Sequence, residues 1–257
     1  MELFQINVGD GPLIASAIHS GHAMRPEVAA MTALDERQRL REEDPHTNIL
    51  ADVAPTQIIG HRSRFEVDLN RPRSESIYIT PEQAWGLDVW REPLTPPVVA
   101  RSRGIHDLFY GTVRGLLQQK VELHGRVLLL DIHSYNHRRD GSDGPVAPES
   151  SNPEINIGTG SMDRKRWGPV VEALIDGLRS CDALGRQLDV RENVKFQGGH
   201  FVRWIHGEFP QSVCAPAVEF KKTFMNEWTS DVDHVHLIKL RDALRAIVPR
   251  LLELLEH

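Results

Sequence analysis

The sequence predicts an α/β protein, a sheet covered by helices, and two observations predict it. Short apolar runs alternate with longer amphipathic stretches along most of the 257 residues. One run, Val127-Leu128-Leu129-Leu130-Asp131-Ile132-His133, is nearly continuous and suits a central strand buried on both faces. At a rough 150 residues per domain the length allows one or two. No internal repeat, low-complexity tract or linker divides the chain, so a single domain spanning residues 1–257 is expected.

In order, Leu13 to Ile18 reads as a strand ending at His19-Ser20-Gly21-His22. Residues 33–43 are polar and helix-favouring. Ile58-Ile59 and Phe65-Glu66-Val67-Asp68-Leu69 read as short strands. Thr80 as N-cap and Pro81 at the first helical position predict a helix from Pro81 to Trp90. Apolar positions three and four apart, from Val98 through Ile105, Phe109, Val113 and Leu117 to Val121, predict a long amphipathic helix over 97–123, closed by Gly125. Residues 136–153 are a long loop by composition. Ile155 to Gly158 and Ala217 to Phe220 read as strands, and 164–180 and 232–255 as helices.

Composition narrows the function. With 40% apolar and 26% charged residues the chain is ordinary for a globular protein. Lys and Arg total 30 against 36 for Asp and Glu, a formal charge of −6, which disfavours nucleic acid as a partner. No apolar run approaches the roughly 20 residues of a membrane helix. Met1 to Gln5 carry no signal-peptide pattern, and Cys181 and Cys214 form no CxxC pair. These features predict a cytoplasmic protein with a small-molecule partner. The histidines, 13 in all, are unusually many and point to a metal. Leu255-Glu256-His257 reads as the start of an expression tag, so His257 is set aside.

Two histidines end predicted strands and precede serine: Ile18-His19-Ser20 and Ile132-His133-Ser134. Ligand sites of open α/β sheets form beyond the carboxyl ends of strands, and imidazole is a good zinc ligand. For a third ligand two sources compete. His22 lies three residues after His19, and the acidic run Glu42-Glu43-Asp44 stops at Pro45-His46. Alternation on a strand would put Arg64, Glu66, Asp68 and Asn70 on one side. The plain alternative there is an edge strand with surface ion pairs. Lys195, Gly198, Gly199 and His200 read equally as a loop over the site or as a glycine turn. Glu219 is a lone acid between Val218 and Phe220, with Lys221 and Lys222 expected to point away from it.

His19-Ser20-Gly21, Glu43-Asp44-Pro45-His46-Thr47, Asp68-Leu69-Asn70-Arg71-Pro72, Asp131-Ile132-His133-Ser134 and Glu219-Phe220-Lys221-Lys222 occur in an order that resembles the N-formylglutamate amidohydrolase family. The likeness runs from about residue 12 to residue 230. The third and fourth pieces also look like motifs of the aspartoacylase and zinc carboxypeptidase group. The resemblance implies a three-layer α/β/α fold of the phosphorylase/hydrolase type, with a mixed sheet and one zinc. By the same resemblance His19 and His133 match the histidine ligands, Asn70 and Arg71 hold the substrate carboxylate with Arg64 beside them, and Glu219 is the general base. The carboxypeptidase pattern His-x-x-Glu is broken here, because its fourth residue is His22. The acidic segment therefore favours Asp44 or Glu43 as the carboxylate ligand over His22.

The implied reaction is zinc-assisted hydrolysis of the C–N amide bond of a small N-acyl amino acid such as N-formylglutamate. Arg64 would steady the oxyanion, and Lys195 and His200 would border the substrate. Competing readings are a zinc amidase acting on a peptidoglycan stem or other peptide, a 2-His-1-carboxylate iron oxygenase, and a metal-binding protein without turnover. A nucleophilic serine has little support, since no G-x-S-x-G occurs. The motifs name neither the acyl group nor the amino acid, and they leave the oligomeric state open.

Overall fold

The computed structural model describes residues 2–182 and 184–255; His257 lies outside them. The chain runs β1 (Phe4–Asn7), β2 (Leu13–Ala17), α1 (Pro26–Met31), α2 (Glu36–Glu42), α3 (Thr47–Leu50), β3 (Thr56–Gly60), α4 (Pro96–His124) and β4 (Val127–Tyr135). It continues through β5 (Ile155–Gly158), α5 (Arg164–Ser180), β6 (Val190–Glu192), α6 (His200–Glu208), β7 (Val213–Cys214), β8 (Ala217–Lys221) and α7 (His234–Leu255). Among the described residues the strands form one eight-stranded sheet in the order β1-β3-β2-β4-β8-β5-β6, with β7 beside the start of β4. The sheet is mixed: β1 runs antiparallel to β3 and β5 antiparallel to β8, while the remaining pairs are parallel.

Alternation along the strands explains the layers. Leu128, Leu130 and Ile132 of β4 pack on one face with Trp167 and Leu174 of α5 and with Leu240 and Leu244 of α7. Val127 and Leu129 pack on the other face with Phe109 and Leu117 of α4 and with Phe201 and Ile205 of α6. A three-layer α/β/α sandwich results. Shortening a fully buried core side chain such as Leu129 to alanine costs about 2–5 kcal/mol.

The ends of several elements follow from local chemistry. Asp35 caps α2, accepting from the Gln38 backbone N–H at 2.8 Å, and Asp163 caps α5 through Lys165 and Arg166. Gly125, at φ 76°, closes α4. Helix α2 stops at Glu42 because Asp44 precedes Pro45 and is steered toward extended backbone. That stop matters for the site.

Some expectations fail. Phe65 to Leu69 is a turn and not a strand, with Glu66 and Val67 both bonded back to the Ser63 carbonyl at 2.9 and 3.2 Å. Ser63 and Asp68 bond the nearby N–H groups of Phe65 and Asn70, the local competition that draws short polar side chains out of ladders. The one-sided row of Arg64, Glu66, Asp68 and Asn70 fails with it, because Glu66 turns to Arg25 and Asp68 to His19. The Pro81 to Trp90 helix is only a 3-10 turn over Pro81–Ala84, since Trp85 and Gly86 take positive φ. His200 opens α6 and does not belong to a loop.

Candidate active site

Polar residues replace apolar ones where the strands leave the core. On the α4/α6 face Ile14 is followed by Ser16, Leu129 by Asp131 and His133, and Ala217 by Glu219. All of these polar residues are buried. His133 and Glu219 are paired across β4 and β8, which sets both at one level of the sheet. His19 lies two residues past the end of β2, on the other side of β4.

Asp44 arrives from the end of α2. Its N–H donates to the His19 carbonyl at 3.1 Å, tying the segment to the end of β2. From the other side Lys222 donates to the carbonyls of Arg41 and Glu43 at 2.6 and 2.7 Å. A cation on the last carbonyls of a helix satisfies groups the helix leaves unpaired and complements its dipole.

Ligand atoms of His19, Asp44 and His133 all lie within 4.8 Å of one another, and all three residues are buried. Asp44 Oδ2 is 2.9 Å from His133 Nδ1 and 3.5 Å from His19 Nδ1. Each imidazole turns its other nitrogen to a carboxylate: His19 Nε2 to Asp68 at 2.8 Å and His133 Nε2 to Asp131 at 3.0 Å. Asp131 is held by Ser16 at 2.7 Å. Asp68 also accepts from Arg64 at 2.9 Å and from the Tyr78 hydroxyl. Histidines that bind metal commonly carry such carboxylate partners, which fix the tautomer and orient the ring.

The donor set fits a metal on a specific observation. His19 Nδ1 is buried without a hydrogen-bond partner, facing Asp44. With Nε2–H donated to Asp131, His133 Nδ1 presents a lone pair to the Asp44 carboxylate, so a positive charge is required between them. In the free protein a proton supplies it: burial would lower the His133 pKa, but Asp131 and Glu219 raise it well above the usual imidazole range. Burial would likewise raise Asp44, yet His133 and His19 hold it far below the usual carboxylate range. Two imidazoles and a carboxylate match a catalytic zinc with a position left for water.

Glu219 has no side-chain hydrogen bond among the described residues and borders the same cavity. Burial, reinforced by the nearby Asp44 and Asp131 carboxylates, pushes its pKa to about 7. The cavity holds about 210 Å³, and its walls include His19, His133, Arg64, Asn70, Arg139 and Lys222. Asn70 joins two walls, because its Oδ1 accepts from the Phe201 N–H at 3.0 Å. A Cβ on Gly199 would stand 2.1 Å from that Oδ1, so any larger residue there would displace the Asn70 side chain.

Other expected residues lie elsewhere. His22 bonds Glu43 and, at 3.1 Å, Arg39, so neither His22 nor Glu43 joins the His19–Asp44–His133 group. Ser63 holds the second oxygen of Glu43, which completes its engagement away from that group. Arg71 donates to the Gln83 carbonyl at 2.7 Å, lies over the Tyr78 ring and does not border the cavity. Lys195 bonds Asn152 at 2.6 Å, and His200 stands by Tyr110; neither borders the cavity, although Gly198 and Gly199 do. The lysines after Glu219 also depart from expectation. Lys221, two residues along and so on the side of Glu219, borders a separate surface cavity with Glu154 and Asp189. Lys222 follows the end of β8 and lines the cavity itself.

A sequence model described as N-formylglutamate amidohydrolase matches residues 11–225. An N-formylglutamate deformylase of Pseudomonas aeruginosa is 28% identical over 98% of this chain and 95% of its own length. One of Pseudomonas putida is 27% identical over 96% of each chain. A crystal structure of an N-formylglutamate amidohydrolase from Ralstonia eutropha superposes with a TM-score of 0.77 at 16% identity, covering 98% of this chain and 97% of that one. A gene product of Agrobacterium tumefaciens gives 0.69 at 16% identity, over 100% of this chain and 97% of that one.

Proposed function

Because the chain belongs to the N-formylglutamate amidohydrolase family, we propose that it is a zinc-dependent enzyme that hydrolyses N-formylglutamate to formate and glutamate. The observation that carries this reading is the His19–Asp44–His133 group, with Asp68 and Asp131 behind its imidazoles and Glu219 beside it. The names of the two Pseudomonas relatives supply the substrate.

His19, Asp44 and His133 would hold the ion. Zinc, when bound, polarises a carbonyl and lowers the pKa of a water toward about 7. Glu219 takes the proton from the attacking water and passes it to the nitrogen of the leaving glutamate. Its buried setting, with no hydrogen bond to quench it, favours proton exchange near neutral pH. Arg64, fixed by Tyr78, Asp68 and the Glu42 carbonyl, presents positive charge to the oxygen of the tetrahedral species. The Asn70 amide, oriented by the Phe201 N–H, offers its N–H groups to the substrate. In this reading Arg71 braces Tyr78 and Asp68 and does not anchor the substrate. A cytoplasmic location belongs to the same reading.

Glu219 also separates this reading from an iron oxygenase built on the same ligands, since an oxygenase has no evident use for a buried base beside the metal. The test is to strip the protein with a chelator, restore one metal at a time, and measure formate from N-formylglutamate under nitrogen. Zinc should restore activity without oxygen at about one ion per chain, and His133→Ala should abolish both tight binding and turnover. Turnover unaffected by chelation, or wild-type zinc content in His133→Ala, would contradict the proposal.

A further inference from the structure

The cavity walls carry three cations besides the histidines: Arg64, Arg139 and Lys222. They differ in what they have left to offer. Every nitrogen of the Arg64 guanidinium is engaged, Nε by Tyr78, Nη1 by the Glu42 carbonyl and Nη2 by Asp68. Lys222 is fully buried and spends two of its protons on the carbonyls of Arg41 and Glu43.

Arg139 is different. It stands on the long loop after β4, and its side chain is 46% exposed at the cavity mouth. Only Nη1 is engaged, donating to both oxygens of Glu42 at 2.7 and 2.8 Å. Among the described residues its Nε and Nη2 make no hydrogen bond, so the edge of the fork suited to a carboxylate is free. Glu42 is itself pinned, 4% exposed, by Asn136 at 3.2 Å and Arg41 at 3.3 Å. A rigid acid thus holds one corner of the guanidinium and leaves the rest unsatisfied. Glu42 precedes Asp44 by two residues, a span of at most about 7 Å. The braced arginine also borders the same cavity as the candidate metal ligands His19, Asp44 and His133.

We propose that Arg139 is the specificity-determining residue of the site, binding the side-chain carboxylate of a dicarboxylic amino acid whose N-acyl group lies at His19, Asp44 and His133. This rests on the amidohydrolase reading above and adds to it the origin of selectivity. Arg64 faces the reacting centre, and Arg139 reads the far end of the substrate. Glu42 is then a positioning residue that acts through Arg139.

The experiment compares N-formylglutamate with N-formylglutamine, which keeps the shape and removes the charge, in wild type, Arg139→Gln and Arg139→Lys. It also measures binding of free glutamate and glutamine by calorimetry. The wild type should favour the charged member of each pair. Arg139→Gln should lose about ten- to fiftyfold in kcat/KM for N-formylglutamate and less than about twofold for the glutamine analogue. Arg139→Lys should recover only part of the loss, because an ammonium lacks the planar fork. Equal losses on both substrates, or a charge preference unchanged in Arg139→Gln, would overturn the proposal. A wild type that turns over neither substrate would refute the amidohydrolase reading. Glutamate-over-glutamine binding that requires Arg139 would still support the inference, and its absence would defeat it.

Discussion

His19 and His133 each spend one ring nitrogen on a buried carboxylate, and in the proposed function that pairing prepares the other nitrogen for a metal. Removing either carboxylate charge while keeping its shape should loosen the ion without dispersing the site. Asp131→Asn is therefore expected to weaken zinc binding about 10- to 100-fold, measured by chelator competition, with secondary structure unchanged. Unaltered zinc affinity would show that Asp131 does not orient His133. The sequence contained this signal. Asp131 and His133 are two residues apart on one strand and so share a face. The Asp68 partnership with His19 spans 49 residues and a turn, and no local pattern discloses it. Glu219 has the opposite problem from the other acids: it is buried without a hydrogen bond among the described residues. Its pKa is raised to about 7, so in the metal-free protein it contributes stability at pH below its unfolded value and loses it as pH rises through about 7. Metal-free Glu219→Gln should consequently melt above wild type at pH 8 and close to it at pH 4. The reverse order would mean that the carboxylate is stabilised in the fold.

Helix α2 and the end of β8 are joined by Lys222, which clamps the carbonyls of Arg41 and Glu43 at the end of the helix and so sets the position of Asp44. Lys222→Met keeps the length and removes the donor, leaving two carbonyls without a protein partner. The expected result is a loss of about 1–3 kcal/mol in stability together with weaker zinc binding, read by thermal melts and metal titration. A stability loss with intact zinc affinity would show that Asp44 is held by its own backbone bond to His19 alone. Long, strongly patterned elements were legible in the sequence. The 97–123 periodicity corresponds to α4, and 164–180 is α5 to the residue. Several short elements were not: β1, α1, α3, β6 and β7 have two to six residues each, too few for a period to show, whereas the equally short β5 was betrayed by its apolar run. Lys222 was misjudged for a related reason. Alternation holds only inside a strand, and β8 ends at Lys221.

The molecule as a whole places apolar layers under one polar rim, and its pH response should reflect what those layers bury. His206 is held neutral in the α6 layer, its pKa pushed by burial down to about 4, with Nδ1 at 2.7 Å from the Ser161 hydroxyl. Unfolding lets it bind a proton near its ordinary pKa of 6.5. Its contribution is therefore present above about 6.5 and lost as pH falls toward 4, by at most about 3 kcal/mol. His206→Gln should flatten the melting temperature between pH 6.5 and 4.5, and an unchanged slope would assign acid lability elsewhere. The five sequence motifs come from separate strands, turns and loops, and the sheet order brings the His19–Asp44–His133 group and Glu219 to one end of β2, β4 and β8. Arg139 and Lys222 could not be read in the same way, because their roles depend on where a loop and a strand end come to rest. The proposed hydrolysis depends most on Glu219 acting as a base beside a bound zinc. Its most direct test is formate release from N-formylglutamate by Glu219→Gln, with zinc content determined on the same sample. We expect about one zinc per chain and a kcat lowered at least about a hundredfold. More than about a tenth of wild-type kcat at full zinc content would contradict it.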